Sequence, residues 1–255
     1  MGKDEIKMIF TTSWDDGNKL DLKLIKLLDK YNLKATFYIP KSCQFKSLSD
    51  RKIKEISKNY EIGAHTLTHQ ELSEINLKKA KSEITNSKKY LEDLLEREIK
   101  VFCYPKGRYN NRVKKITQEA GFLGARTTEE FCFQKLNDFF AIKTSLHTYP
   151  FPLRKINKNH YHWSRFLFQP LAGKLSNISK LNLPASSYFS WLNLAKNMLD
   201  YCYNREGIFH LWGHSWEIEE YGMWQDLDNF FRYITSKKNI IYLTNSEVLE
   251  TESRN

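Results

Sequence analysis

Two adjacent carboxylates, Asp15 and Asp16, stand in the run Ser13-Trp14-Asp15-Asp16-Gly17. Neighbouring carboxylates repel, and a bound cation is an economical way to hold them. The same residues also suit a helix cap beside an Asp-Gly turn. Further on comes His65-Thr66-Leu67-Thr68-His69. A spacing of four is expected to put both imidazoles on one side of a helical turn, able to share a cation. Two incidental histidines are the alternative in a chain that has seven. A catalytic zinc keeps three nitrogen, oxygen or sulfur ligands and one open position. Asp16 supplies the third ligand if the two segments are neighbours. Tyr104-Pro105-Lys106-Gly107-Arg108-Tyr109-Asn110 reads as a rigid turn with backbone N–H groups that suit an oxyanion, or as an ordinary strand-to-helix loop. Trp212-Gly213-His214-Ser215-Trp216-Glu217 places a histidine beside two tryptophans, a setting for a general acid. His210 shares that strand face and stays an alternative, either as the acid or as a buried, hydrogen-bonded histidine. His214 is favoured because it sits nearest the carboxyl end.

The elements that must position these residues alternate. Lys7–Thr12 reads as a strand and Leu20–Leu28 as an amphipathic helix. Ala35–Pro40, Tyr60–Ala64 and Lys100–Pro105 read as strands, with helices expected over 50–57, 76–95 and from 110 to about 120. Phe122–Thr127 and Phe139–Ser145 read as a fifth and a sixth strand. The alternation breaks over about 147–187, a stretch with four prolines and no sustained period, read as an insertion over the main domain with short helices as an option. It resumes with a helix over 188–203, a buried strand over 207–212, a helix around 226–234, a strand over 240–243 and a short tail. Strand–helix alternation with short connections predicts an α/β fold with a parallel sheet or barrel. Sites in such folds lie at the carboxyl ends of the strands, and the Asp pair, the His pair, the Tyr104 turn and His214 all leave strands.

The 255 residues suit one large α/β domain spanning 1–255, and 41% hydrophobic content excludes general disorder. The net charge of +10 favours acidic partners. The charge is scattered over lysine pairs on helix faces, however, and no nucleic-acid motif is present. The four cysteines form no CxxC pair and read as reduced. No signal-like or membrane-spanning apolar run occurs, so the expected compartment is the cytoplasm.

Taken in order, Ser-Trp-Asp-Asp-Gly, His-Thr-Leu-Thr-His, Phe-Cys-Tyr-Pro-Lys-Gly and a late strand ending in His resemble the motifs of the polysaccharide deacetylase family, of NodB-homology or carbohydrate esterase 4 type. The resemblance implies a distorted (β/α) barrel of about seven parallel strands. It implies a divalent metal on Asp16, His65 and His69, zinc first, with cobalt, nickel or iron as alternatives. It also implies Asp15 as general base and His214 as general acid. The family's third motif often begins with an arginine that pairs with the base, and here that position is Cys103; Arg108 is a candidate replacement. Asp138, Asp226 and Glu217 are candidates to orient His214. Trp14, Tyr104, Trp212, Trp216 and Trp224 are candidate sugar-stacking rings, with Pro105 and Arg108 beside them. The expected activity is removal of an N-acetyl group from a carbohydrate, a cytoplasmic sugar nucleotide or lipid-linked precursor of surface polysaccharide, with membrane-peripheral placement as one option. The alternatives are an amidohydrolase of another C–N amide and a catalytically silent carbohydrate-binding barrel.

Overall fold

The computed structural model describes residues 8–44, 47–154 and 163–254. In chain order these give β1 (Met8–Asp15), α1 (Asp21–Lys30), β2 (Thr36–Ile39), α2 (Asp50–Ile56), β3 (Glu61–Ala64), α3 (Leu77–Leu95), β4 (Val101–Cys103), α4 (Asn111–Glu119), β5 (Gly124–Arg126) and β6 (Leu146–His147). Then follow α5 (Trp163–Lys180), α6 (Trp191–Tyr203), β7 (Ile208–Gly213), α7 (Ser215–Tyr221), α8 (Trp224–Thr235), β8 (Ile240–Tyr242) and α9 (Asn245–Glu252).

Every pairing between these strands is parallel, in the order β5-β4-β3-β2-β1-β7-β6. β8 joins the start of β1 at Met8–Phe10, while β2 joins its end at Ser13–Asp15. The two ends of the strand order are tied by residues 139–148. On one side Ala125 N–H donates to Phe139 O (2.7 Å) and Thr127 N–H to Ile142 O (2.8 Å). On the other, Ser145 N–H donates to His210 O (2.9 Å) and Thr148 N–H to Trp212 O (2.8 Å). The sheet therefore curls into the expected distorted (β/α) barrel of seven strands, with β8 as an addition.

Alternation along β1 divides its side chains between two faces. Phe10 stacks on Phe209 outside the barrel and meets Phe230 of α8. Thr11, Ser13 and Asp15 point inward into a polar interior. There, Asn245 of α9 donates to Thr11 Oγ1 (2.9 Å) and accepts from the Tyr38 hydroxyl (2.9 Å), and Ser13 Oγ shares a hydrogen with His210 Nε2 (2.8 Å).

Three expectations change. The stretch read as an insertion, with short helices as an option, contains α5, a longer helix of 18 residues running through Pro170. The presumed tail is α9, opened by a capping box between Thr244 and Glu247. The sixth strand is Leu146–His147, just after the expected Phe139–Ser145, because Phe139 and Ile142 bond to the β5 side and the chain reaches β7 only at Ser145. Among the described residues no helix is long and apolar enough to cross a membrane.

Candidate active site

Five strand ends converge. Asp15 ends β1 and Asp16 follows it, His65 follows β3, Cys103 ends β4, Arg126 ends β5, and His214 follows β7. Asp16 has φ of 76°, in the left-handed region that an aspartate adopts only at a cost, and Gly17 continues the turn at 57°. The turn aims Asp16 Oδ1 at His69 Nε2 (3.3 Å) and His65 Nε2 (3.9 Å).

The two histidines do not lie on a helical turn. They flank an irregular loop in which Thr66 (63°) and His69 (54°) both have positive φ, strained for a β-branched residue. The loop holds this shape because Glu83 of α3 accepts from Leu67 N–H (2.9 Å), Thr68 N–H (2.8 Å) and the Thr68 hydroxyl (2.7 Å). The spacing of four thus brings the rings together, with centroids 4.8 Å apart, by another backbone route.

His65 Nδ1–H donates to the Cys103 carbonyl (2.8 Å), which leaves Nε2 as a lone pair toward Asp16. Burial, with His69 beside it, lowers His65 to about 4 against the pull of Asp15 and Asp16, so the ring is neutral at pH 7. Asp16 Oδ1 is buried and lacks a hydrogen-bond partner within the described residues, while Oδ2 accepts from Trp216 Nε1–H (3.0 Å). An orphaned carboxylate oxygen facing two imidazole nitrogens, all within 4.8 Å of one another, fits a divalent cation.

Asp15 is held differently. The Arg126 guanidinium donates to both of its oxygens, and the Cys103 thiol lies 3.7 Å from Oδ2. Burial alone would raise this carboxyl, but Arg126, helped by His65 and His214, outweighs it and holds Asp15 at about 2. Arg126 takes the place in which Arg108 was considered. Arg108 instead joins Lys106 in ion pairs with Glu71. Arg126 was missed, although a charged residue inside the apolar run Phe122–Thr127 was a signal. The register Cys103↔Arg126 explains the arrangement: the guanidinium arrives from the next strand, and the small thiol leaves it room.

His214 Nε2 lies 3.8 Å from Asp16 Oδ2 and 4.0 Å from Asp15 Oδ2. Its Nδ1–H donates to Glu217 Oε2 (2.6 Å), so Glu217 is the orienting carboxylate among the three considered. Asp138 pairs with Lys114, and Asp226 lies in the first turn of α8. Burial would lower His214, but Glu217, Asp16 and Asp15 prevail and raise it to about 9. His210 lies in the barrel interior, where burial and Arg126 push it down to about 3.

Most of the suggested sugar-contacting residues are enclosed. Trp14 and Tyr104 are fully buried, Pro105 is buried, and Trp212 packs under Arg126 and against His147. Trp14 points outward from β1 into the layer beneath the helices, and the Tyr104 hydroxyl donates to Phe140 O (3.1 Å). The Tyr104 N–H is spent on Arg126 O (3.1 Å) and is no oxyanion donor. Trp224 is tied to Glu219 and Lys23. Trp216 remains, half-buried and bonded to Asp16.

A protein-family model described as polysaccharide deacetylase matches residues 2–125. YxkH of Bacillus subtilis, which carries a polysaccharide deacetylase name, is 34% identical over 106 residues, 40% of this chain and 38% of that protein. The chain therefore spans well under half the length of this curated relative. A Mycobacterium smegmatis crystal structure, also carrying a polysaccharide deacetylase name, superposes with a TM-score of 0.70 at 14% identity, covering 100% of this chain and 93% of that one. A PuuE allantoinase superposes with a TM-score of 0.69 at 11% identity, covering 98% and 91%. At such identities these structures establish the fold alone, which serves more than one chemistry. The segment that carries Asp15, Asp16, His65 and His69 lies within the part of the chain that matches the polysaccharide deacetylase family model.

Proposed function

We propose that this protein is a divalent-cation-dependent hydrolase that removes the acetyl group from an N-acetylated sugar. The observation that carries the reading is the convergence of three kinds of group. Two imidazoles and a carboxylate share a focus, an ionised carboxylate adjoins it, and His214 Nε2 lies within 4.0 Å of both aspartates.

Asp16, His65 and His69 would hold the cation. When bound, it supplies a Lewis acid that acidifies water and polarises an acyl carbonyl. Asp15 complements that chemistry. A carboxyl held at about 2 is a weak base, able to take a proton only from an acidified donor. Its oxygens are fixed by Arg126, so it accepts the proton without reorienting. His214, raised to about 9, carries its proton at pH 7. It gives that proton from Nε2 to the amine as the C–N bond breaks, because an amine leaves poorly as an anion. The products are acetate and the free amino sugar.

The His2Asp donor set suits zinc, with cobalt, nickel and iron as competitors. The net charge of +10 supports a phosphate-bearing substrate, a sugar nucleotide or a lipid-linked glycan met at a membrane face, made for surface polysaccharide. A second reading, hydrolysis of another C–N amide, is favoured by the likeness to the allantoinase fold along 98% of the chain. A silent binding barrel has no use for both an enclosed ionised Asp15 and a protonated His214.

The test combines metal content with acetate release. His65→Ala is expected to lose the metal, and Asp15→Asn to keep it while releasing no acetate. Full activity in Asp15→Asn would sink the assigned roles, and metal retained in a His65/His69 double variant would sink the site. Ureides and other amides that outperform N-acetylated sugars would select the second reading.

A further inference from the structure

One carboxylate oxygen serves two imidazoles. Glu217 Oε2 accepts from His214 Nδ1–H at 2.6 Å and from His147 Nε2–H at 2.9 Å. Glu217 is buried, so two N–H donors on one oxygen fix its carboxyl plane in a way that one would not.

His147 is itself held on every side. Its ring stacks on Trp212, with centroids 3.9 Å apart and planes 9° apart, and lies parallel to Tyr149 at 5.2 Å. Its carbonyl accepts from Trp191 Nε1–H of α6 (2.9 Å). Its N–H donates to Glu130 Oε1, and the other oxygen of Glu130 is paired with Lys174 of α5. Lys174 is only 7% exposed, unusual for a lysine that serves solubility. An unbroken series of contacts therefore runs from α5, through Lys174, Glu130, His147 and Glu217, to the ring of His214.

We propose that His147 is a positioning residue for the proton-donating His214, and that helix α5 sets it through Lys174 and Glu130. The inference rests on the hydrolase reading above. It gives the stretch read as an insertion a part in the reaction: α5 braces the residue that aims the proton donor. Supporting groups of this kind act by narrowing the orientations of the group they hold.

The test uses two substrates that differ in their need for a proton on the leaving group. A lipid-linked N-acetylglucosamine oligomer loses an amine, which requires one. 4-Nitrophenyl acetate loses a phenolate, which does not. His147→Phe keeps a stacked ring and removes the N–H. It is expected to lower kcat on the oligomer by about 10- to 100-fold, with KM within about twofold and aryl acetate turnover nearly unchanged. His147→Gln, which returns an N–H donor at similar reach, is expected to recover most of the loss. Lys174→Met is expected to move the oligomer kcat in the same direction by about 3- to 10-fold, below the range for a directly bonded partner. Parallel losses on both substrates would make His147 a packing residue and overturn the proposal, as would an oligomer kcat untouched in His147→Phe. A wild-type protein that releases no acetate from any N-acetylated sugar removes the hydrolase reading and the inference with it. That result is visible without any variant, so the two failures are distinct.

Discussion

Arg126 and Asp15 are both enclosed, and each is the other's compensation. The guanidinium lies over the rings of Tyr38 (5.2 Å) and Trp212 (4.9 Å), surfaces that favour a cation but cannot replace a counter-charge. Removing one partner of such a pair leaves a buried charge and costs about 3–5 kcal/mol. Arg126→Met is therefore expected to lower the unfolding free energy by about that amount in urea titrations with chelator present. Acetate release should fall with it, because Asp15 loses the group that fixes its oxygens. Cys103 faces Arg126 across the β4–β5 register, with its thiol 3.7 Å from Asp15. The double variant Cys103→Arg/Arg126→Met should recover part of both losses by delivering the charge from the adjacent strand. No recovery in either measurement would show that the Arg126 direction of approach matters and not the charge alone. The sequence marks the gap at Cys103 and offers Arg108, along the same loop, as the replacement. Lateral register between strands is a property of the folded sheet, and no spacing along the chain displays it.

At the scale of elements, periodicity and boundary residues carried most of the architecture. β1, α1, β3, α3 and β4 lie close to where apolar patterning put them, since the strands are short runs buried on both faces and the helices each bury one face. What periodicity does not carry is irregular backbone. The run His65–His69 has a helical spacing and folds as a strained loop, because three donors on that loop find one carboxylate, Glu83, on a helix. α9 went unread although Thr244 and Glu247 spell a capping box, and its Asn245 closes the polar interior below the site. The Glu83 arrangement gives a prediction that belongs to the loop and not to any ligand. Glu83→Gln offers one acceptor oxygen where three donors converge, so His65 and His69 should lose their fixed separation. Metal affinity, measured by competition with a chromophoric chelator, is expected to weaken by about 10- to 100-fold, while the circular dichroism of the barrel stays as in wild type. Unchanged affinity would mean that the histidines are placed by the strands alone.

Across the whole molecule, Asp21 joins the first βα unit, β1–α1, to the β7–α7 unit. It stands in the first turn of α1, is fully buried, and accepts the Ser215 hydroxyl of α7 (2.5 Å) on Oδ1, while Oδ2 has no partner within the described residues. Burial, reinforced by Asp16 and Asp15 against the Ser215 hydrogen bond, raises its carboxyl from 3.8 to about 8. Between those two pH values the folded chain keeps a proton that the unfolded chain releases. The resulting stabilisation is complete below about pH 4 and is lost as the pH rises through 8, so the slope of stability with pH is negative over this window. Asp21→Asn fixes a neutral, nearly isosteric group and removes the linkage. Each tenfold change in proton affinity corresponds to about 1.4 kcal/mol, and a chain of this size moves its Tm by about 2–4 °C per kcal/mol. In metal-free protein at pH 9 the variant is expected to melt at least about 5 °C above wild type, and at pH 4 within about 2 °C of it. A bound cation beside Asp16 opposes the repulsion that helps to raise Asp21, so loading the metal should shrink the pH 9 difference. If Asp21→Asn instead melts lower than wild type at both pH values, Asp21 is ionised in the folded state and its charge helps to hold α7, and with it His214, against the barrel.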